Sequence, residues 1–158
     1  MDFKEIYVAY WQKVFRLCMG FVNDGEWARD IAQDSFVQIW EALPGFRNES
    51  SIGTWIFRIA TNQCLRQMER ARRLPKSELM TDIPETAGTD IETQTAFLYK
   101  CIAALPETDR IIISLELENV KQAEIASIVG ISETNVRVKI HRIKEKLTAK
   151  FSKHEERI

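Results

Sequence analysis

Gly130 constrains this chain more than any other residue. It separates two runs of opposite character within KQAEIASIVGISETNVRVKIHRIKEKL, Lys121 to Leu147. Upstream, Ile125, Ala126 and Val129 fall on one helical face. Downstream, Val136, Ile140, Ile143 and Leu147 recur at helical spacing. A glycine between two such runs supplies the positive φ of a chain reversal. Ile131 follows as a buried plug, and Ser132 is suited to cap the second helix. The far side of that helix carries Arg137, Lys139, His141, Arg142, Lys144 and Lys146. A short helix, a glycine turn and a basic second helix form the helix-turn-helix pattern of DNA-binding proteins. An antiparallel hairpin with a solvated basic face is the plainer alternative. Turn, cap, core spacing and charge agree on the first reading.

The remaining sequence predicts an all-helical protein in two small lobes. Gly and Pro are few, and no alternating Val/Ile-rich runs mark strands. The net charge of −1 would ordinarily argue against nucleic acid, but its distribution is uneven. Arg66, Arg70, Arg72 and Arg73 cluster at mid-chain, a second basic block runs from Arg137 to Lys153, and Glu78, Asp82, Glu85, Asp90 and Glu92 lie between them. Cys18, Cys64 and Cys101 are odd in number, widely spaced and on apolar helix sides. They read as buried free thiols of a cytosolic protein. Without a secretory segment or a long apolar run, a soluble cytoplasmic chain with no membrane insertion is expected. His141 and His154 have no ligand-spaced partner, and no phosphate loop or nucleophile motif is present. The sequence therefore predicts no enzyme, no catalytic residue, no metal, no cofactor and no small-molecule substrate.

Residues from Asp2 to about Phe21 form an amphipathic helix with Tyr7, Tyr10, Trp11, Val14, Phe15, Cys18 and Phe21 on its apolar face. Asn23-Asp24-Gly25 is a turn. The next helix, about Glu26 to Leu43, buries Ala28, Ile31, Ala32, Ser35, Phe36, Ile39 and Leu43. Its other face holds Asp30, Gln33, Asp34 and Glu41, with Val37 in the middle. An exposed valine ringed by acids and an amide suits a docking patch for a basic partner helix, against the alternative of a solvated acidic face. Phe46–Gly53 is a polar loop, and Thr54 is expected to cap a helix running to about Arg73. Ile56, Phe57, Ala60, Cys64, Met68 and Ala71 point inward, while Trp55, Ile59, Asn62, Arg66, Arg70 and Arg73 share the other side. Aromatic and amide groups among arginines suit unstacked bases along a phosphate backbone. The plainer alternative packs Trp55 and Ile59 against the first helix or the loop. Residues 74–94 hold Pro75, Pro84, Gly88 and the acidic run, and read as a flexible linker between a lobe at 1–73 and a lobe at 95–152. A tail at 153–158 should fray, as should the chain after Leu147 generally, because Phe151 and the terminal Ile158 are its only large apolar residues.

Four segments in order, ARDIAQDSFVQIWEALPGF (Ala28–Phe46), TWIFRIATNQCL (Thr54–Leu65), LPETDRIIISLELEN (Leu105–Asn119) and the helix-turn-helix, give the chain a family resemblance from about Tyr7 to Leu147. It resembles the sigma-70 family of bacterial RNA polymerase sigma factors, in particular the compact extracytoplasmic-function (ECF) group. The resemblance implies a transcription initiation factor in which the first lobe is region 2 and the second is region 4. Asp30, Gln33 and Asp34, with Val37 among them, match the face that docks on the coiled coil of the polymerase's largest subunit. Phe46, Arg47, Asn48, Trp55, Arg58, Ile59, Asn62, Arg66, Arg70 and Arg73 fall in the segments that read and melt the −10 element, the loop Phe46–Ser51 matching one that pockets a flipped-out base. Thr134, Asn135, Arg137, Val138, Lys139, His141 and Arg142 match the helix that reads the −35 element in the major groove. Ile111, Ile112 and Leu115 are candidates for apolar contact with the polymerase flap, with core packing as their other use. Arg66 stands where the family often has an acid, and Val138 where a small polar residue is common. Both bear on the promoter sequence and not on the class.

The implied partners are core RNA polymerase, promoter DNA and an anti-sigma factor covering both lobes. A near-neutral chain with acids around its DNA faces should bind DNA weakly alone and well on polymerase. The rival reading is a conventional dimeric helix-turn-helix regulator with an N-terminal sensing or dimerisation lobe. The docking face and the Trp/Arg face disfavour it. A decoy that binds polymerase without initiating is a third reading.

Overall fold

In the computed structural model the described residues are 1–74 and 90–156, and they fold as helices in two compact units divided between Ala87 and Gly88. Most of the expected linker, residues 75–89, lies outside the described residues, as do 157–158.

The first unit is a three-helix bundle of α1 (Phe3–Val22), α2 (Gly25–Ala42) and α3 (Ile52–Arg72), with a 3-10 turn at Leu43–Gly45. Sequence chemistry fixes the ends. Asp2 accepts from the Glu5 amide at 2.8 Å while Glu5 accepts from the Asp2 amide at 3.1 Å, a reciprocal cap on α1. Asn23 takes the left-handed conformation (φ 51°) that ends α1. Asp24 then accepts from the amides of Glu26 and Trp27 to start α2. The cap of α3 is Ser51 rather than Thr54. Its hydroxyl accepts from the Thr54 amide at 3.1 Å and donates to Thr54 Oγ1 at 2.9 Å, which starts the helix at Ile52. Threonine thereby becomes a buried first-turn residue.

The core seam of α1 is Ile6, Val14, Leu17, Cys18 and Phe21, all fully buried. The sequence reading placed Tyr7 in that seam and omitted Ile6 and Leu17. Tyr7 is instead 42% exposed, stacked on Trp11 and edge-on to Phe36, on the flank of the seam. The α2 seam is as expected for Ala28, Ile31, Ala32, Ser35, Phe36 and Ile39, which are buried, with Ser35 donating to the Ile31 carbonyl at 2.7 Å, whereas Leu43 is half-buried and belongs to the 3-10 turn because α2 ends at Ala42.

All three cysteines are free and buried. Although far apart in sequence, Cys18 and Cys64 meet between α1 and α3, with the Cys64 thiol donating to Cys18 Sγ at 3.8 Å. That hydrogen bond, followed by burial, pushes the Cys18 thiol well above its ordinary range. The Cys18 thiol is thus held in the unreactive protonated form.

The second unit contains α4 (Asp90–Ala103), α5 (Glu107–Leu117), α6 (Gln122–Val129) and α7 (Glu133–Glu156). Ile102, Leu105, Ile111, Ile112, Ile113, Leu115, Ile125, Val136, Ile140 and Ile143 form its core. Each fully buried aliphatic side chain contributes about 1.5–3 kcal/mol relative to exposure. Gly130 has φ 83°, and both it and Ile131 donate backbone N–H groups to the Ala126 carbonyl, at 2.8 and 3.2 Å. Ser132 accepts from the Asn135 amide at 3.1 Å and caps α7. Ile128 is buried where the sequence favoured Val129, and Ile131 is half-buried rather than a full plug.

Two boundaries differ from expectation. Helix α4 starts at Asp90, inside the segment read as linker, and α7 continues to Glu156 in place of a frayed tail. The cause of the second lies on α4. Phe97 packs edge-on to Phe151 at 4.9 Å and face-to-face with His154 at 4.0 Å. An aromatic partner distant in sequence supplies the anchor that the local pattern lacks.

Gly130→Ala is expected to lower stability by about 1–2 kcal/mol, the cost of a left-handed L-residue, read as an earlier urea midpoint for the second unit's transition. The native chain should consume almost no thiol reagent at neutral pH and all three equivalents in denaturant. Rapid modification of Cys18 or Cys64 in the folded chain would contradict the packing described.

Candidate polymerase and nucleic-acid interfaces

Burial of one seam leaves the opposite side of α2 outward. Asp30, Gln33 and Asp34 are exposed, and Val37 stands 55% exposed beside them. Trp40 is 62% exposed, the largest apolar side chain so displayed in this unit. The sequence reading missed it. Three residues after Val37 on a helix, it could have been placed on the same side by the 100° step per residue.

Two amide contacts lock this face to α3. Gln63 Nε2 donates to Gln38 Oε1 at 2.7 Å, and Gln67 Nε2 donates to Asp34 Oδ2 at 2.9 Å. Asp34 is therefore held in place by the neighbouring helix. The two helices wall an open cleft of about 840 Å³, with Asp24, Trp27, Asp30, Gln33 and Asp34 on one side and Gln67, Met68 and Arg70 on the other.

On α3, Asn62, Arg66, Arg70 and Arg73 are exposed as expected, and Arg58 is half-buried. Arg73 pairs with Glu69 at 2.8 Å, fully in solvent. Ile59 does not share this face. It is only 8% exposed, because α3 packs against both α1 and α2 and so buries a wider arc than one seam requires. Leu65, 40% exposed among the arginines, stands outward instead. Trp55 is half-buried, with its ring 4.8 Å from that of Phe46. The pair joins the start of α3 to the loop after α2. That loop turns through Asn48 at φ 57° and borders a cavity of about 460 Å³ with Leu43, Phe46, Asn48, Ser50 and Ser51 on its wall. Arg47, in the same loop, is exposed.

In the second unit, α7 buries Val136, Ile140, Ile143 and Leu147. Opposite that seam lie Thr134, Asn135, Val138, His141 and Arg142, all exposed, with Val138 at 41% near the centre. Arg137 is also exposed and 3.9 Å from Glu133. Lys139 is half-buried at the seam's edge, 3.4 Å from Asp109 of α5. It is thereby set apart from the other candidate readers. Ile111, Ile112 and Leu115 are at most 2% exposed, so they cannot supply the apolar surface expected for flap contact. Their α5 positions face α6 and α7, and only Leu117, 48% exposed, is displayed near them. Among the described residues no group of His, Cys, Asp or Glu could hold a metal, and no helix is long and apolar enough to cross a membrane.

A three-helix unit with an acidic-apolar face and an arginine-aromatic face, followed by a unit ending in a helix-turn-helix, defines a class. Residues 6–74 match the family model for Sigma-70 region 2, and residues 98–147 match that for Sigma-70, region 4. The chain belongs to the sigma-70 family of RNA polymerase sigma factors, in its ECF group. Among its relatives, the RNA polymerase sigma-H factor of Pseudomonas aeruginosa is 31% identical, over 90% of this chain and 82% of the relative. The ECF RNA polymerase sigma-E factor of Escherichia coli K12 is 28% identical, over 94% of this chain and 85% of the relative. Among solved structures, the sigma factor RpoE in complex with the anti-sigma factor NepR, from Bartonella quintana, has a similar fold: TM-score 0.76 at 20% identity, covering 94% of this chain and 95% of that one. CnrH in complex with the cytosolic domain of CnrY gives TM-score 0.70 at 22% identity, covering 95% and 87%. The chain is a promoter-directing transcription initiation factor of RNA polymerase.

Reversing the charge of the α2 face with Asp30→Arg and Asp34→Arg should reduce affinity for core polymerase by at least about tenfold with helix content unchanged. Trp40→Ala should weaken the same complex by a comparable factor, the usual effect of removing an exposed aromatic anchor. Pull-down with core polymerase alongside circular dichroism checks both.

Proposed function

We propose that this factor divides promoter recognition among the three exposed faces described. The α2 face, with Asp30, Gln33, Asp34 and Val37, docks on the coiled coil of the polymerase's largest subunit, with Val37 at its centre and Trp40 adding apolar surface at its edge. One observation carries this assignment: Val37 and Trp40 stand in solvent beside carboxylates on a helix whose opposite side is fully packed. A large apolar display rimmed by one sign of charge fits a partner helix that is basic at its edge.

The α3 face and the preceding loop engage the −10 element as a single strand. Asn62, Arg66, Arg70 and Arg73 track the backbone, with Arg58 at the side. Phe46, whose ring packs on Trp55, and Asn48 border the cavity offered to an unstacked base, and the exposed Arg47 lies between them in sequence. The α7 face reads the −35 duplex. Asn135 and Arg142 carry base-edge hydrogen-bonding capacity, Val138 suits a thymine methyl, and Thr134, Arg137 and His141 complete the footprint. The first unit, with α1 to α3, serves as the region 2 domain, and the second, from α4 at Asp90 to the end of α7 at Glu156, as region 4. Seating on the polymerase flap belongs to the second unit, through surface other than Ile111, Ile112 and Leu115. Relatives of the same fold are held by NepR and CnrY, which supports a protein inhibitor for this chain too. Action on DNA places it in the cytoplasm.

Run-off transcription with core polymerase tests the whole reading. Initiation at discrete promoters only when this protein is added is the expected result. No promoter-dependent transcript from any genomic fragment would refute it. In the same assay, Arg142→Ala should relax discrimination among altered −35 sequences, at a cost of about 1–3 kcal/mol at the affected base pair, while leaving −10 preference intact.

A further inference from the structure

The basic residues of α7 are not equivalent. Successive helical residues advance about 100°, and the buried seam of Val136, Ile140, Ile143 and Leu147 defines one direction. Lys139 and Lys144 lie on the two rims of that seam. Helix α5 supplies a carboxylate to each: Asp109 Oδ1 is 3.4 Å from Lys139 Nζ, and Glu116 Oε2 is 3.4 Å from Lys144 Nζ. The carboxylates are the sheltered partners, 14% and 19% exposed against 41% and 59% for the lysines. Each lysine therefore leans inward over a fixed acid. The other two pairs, Arg137–Glu133 and His141–Glu145, are different: both members are more than half exposed and lie one turn apart on the same helix. Such pairs are worth little and exchange freely with solvent or phosphate. Arg142 and Lys146 make no ion pair among the described residues.

We infer that Asp109 and Glu116 are restraining residues, which hold Lys139 and Lys144 on the protein's own surface and so keep the second unit's affinity for duplex DNA low. This rests on the reading of α7 as the DNA-facing helix. A partly sheltered carboxylate has already lost part of its hydration, so it holds a cation more firmly than an exposed one does. A DNA phosphate must compete with it for each lysine. Every lysine so withheld removes one counterion-releasing contact, worth about 0.9 in the slope of log affinity against log salt. The outer face keeps its reading groups while the sequence-independent part of the binding energy is held back. A factor built this way binds promoters through polymerase rather than scattering along the genome.

The test uses the full chain, without polymerase, on a labelled duplex of unrelated sequence, with binding followed by fluorescence anisotropy across a salt series. Asp109→Asn with Glu116→Gln should raise affinity by at least about fivefold at low salt and steepen the salt slope by about one to two. Glu155→Gln with Glu156→Gln makes the same change in net charge in the same unit away from these pairs, and should leave the slope unchanged. Adding Lys139→Ala and Lys144→Ala to the Asn/Gln variant should abolish its gain. Those two alanine changes in the native background should alter affinity by less than about twofold. A folded Asn/Gln variant with no gain in affinity or slope would overturn the inference, as would a severalfold loss on replacing the lysines alone. The lysine arm decides the matter if the carboxylate variant does not fold. Arg142→Ala separates the two levels. If it weakens binding while the carboxylate variant gains nothing, only the restraint is wrong. If it changes nothing in any background, α7 is not the DNA face and both readings fall.

Discussion

Helix α3 packs against both α1 and α2, and the first unit depends on that double contact. Ile56, Ala60 and Cys64 are completely buried along it, and Cys64 meets Cys18 of α1 across it. On the α2 side, Gln63 and Gln67 hold Gln38 and Asp34. These contacts fix the rotation of α3 about its axis, and with it the direction of the arginines. They also fix the height of Asp34 on the α2 face. The acidic-apolar face of α2 and the arginine-rich face of α3 are two outer surfaces of one bundle, so packing on the inside sets the geometry of both. Small helical units bury a limited fraction of their surface. That limit leaves broad exposed arcs on each helix, which the chain uses for contact.

The second unit repeats the principle with a different emphasis. Its core positions α7 through a seam on α5 and α6, and the ends of α5 carry the acids that pair with Lys139 and Lys144. Packing and electrostatics are thus combined in the same helix-helix junction. The C-terminal turns of α7 are held by Phe97 of α4, so one continuous helix runs from the capping Ser132 to Glu156.

Much of the fold was legible because its signals are local. The left-handed Gly130, the Ser132 cap, the Asp24 start and the period of the α2 and α7 seams follow from backbone and side-chain chemistry within a few residues. The all-helical class and the acidic-apolar exterior of α2 follow from the same arithmetic. Other features escaped for one recurrent reason. Ile59 sits near the edge of the exposed arc, and whether an edge residue is buried depends on how many helices press on its own. Tyr7, Ile6 and Leu17 were misjudged in the same way on α1. Trp40 was overlooked because large aromatic residues are usually assigned to cores, although its helical position pointed outward.

By itself the sequence determined which segments are helices, where their caps and turns fall, and which chemical character each face has. These are properties of φ, side-chain hydrogen bonds and periodicity, all settled within one or two turns of chain. Only the tertiary structure decided how wide the buried arc of each helix is, and therefore that Ile59 belongs to the core and Ile111, Ile112 and Leu115 are withdrawn from contact. It alone brought Cys18 to Cys64, Gln67 to Asp34, Phe97 to His154 and Asp109 to Lys139. Such meetings join residues remote along the chain. Helix-on-helix rotation fixes them, and no local pattern encodes that rotation.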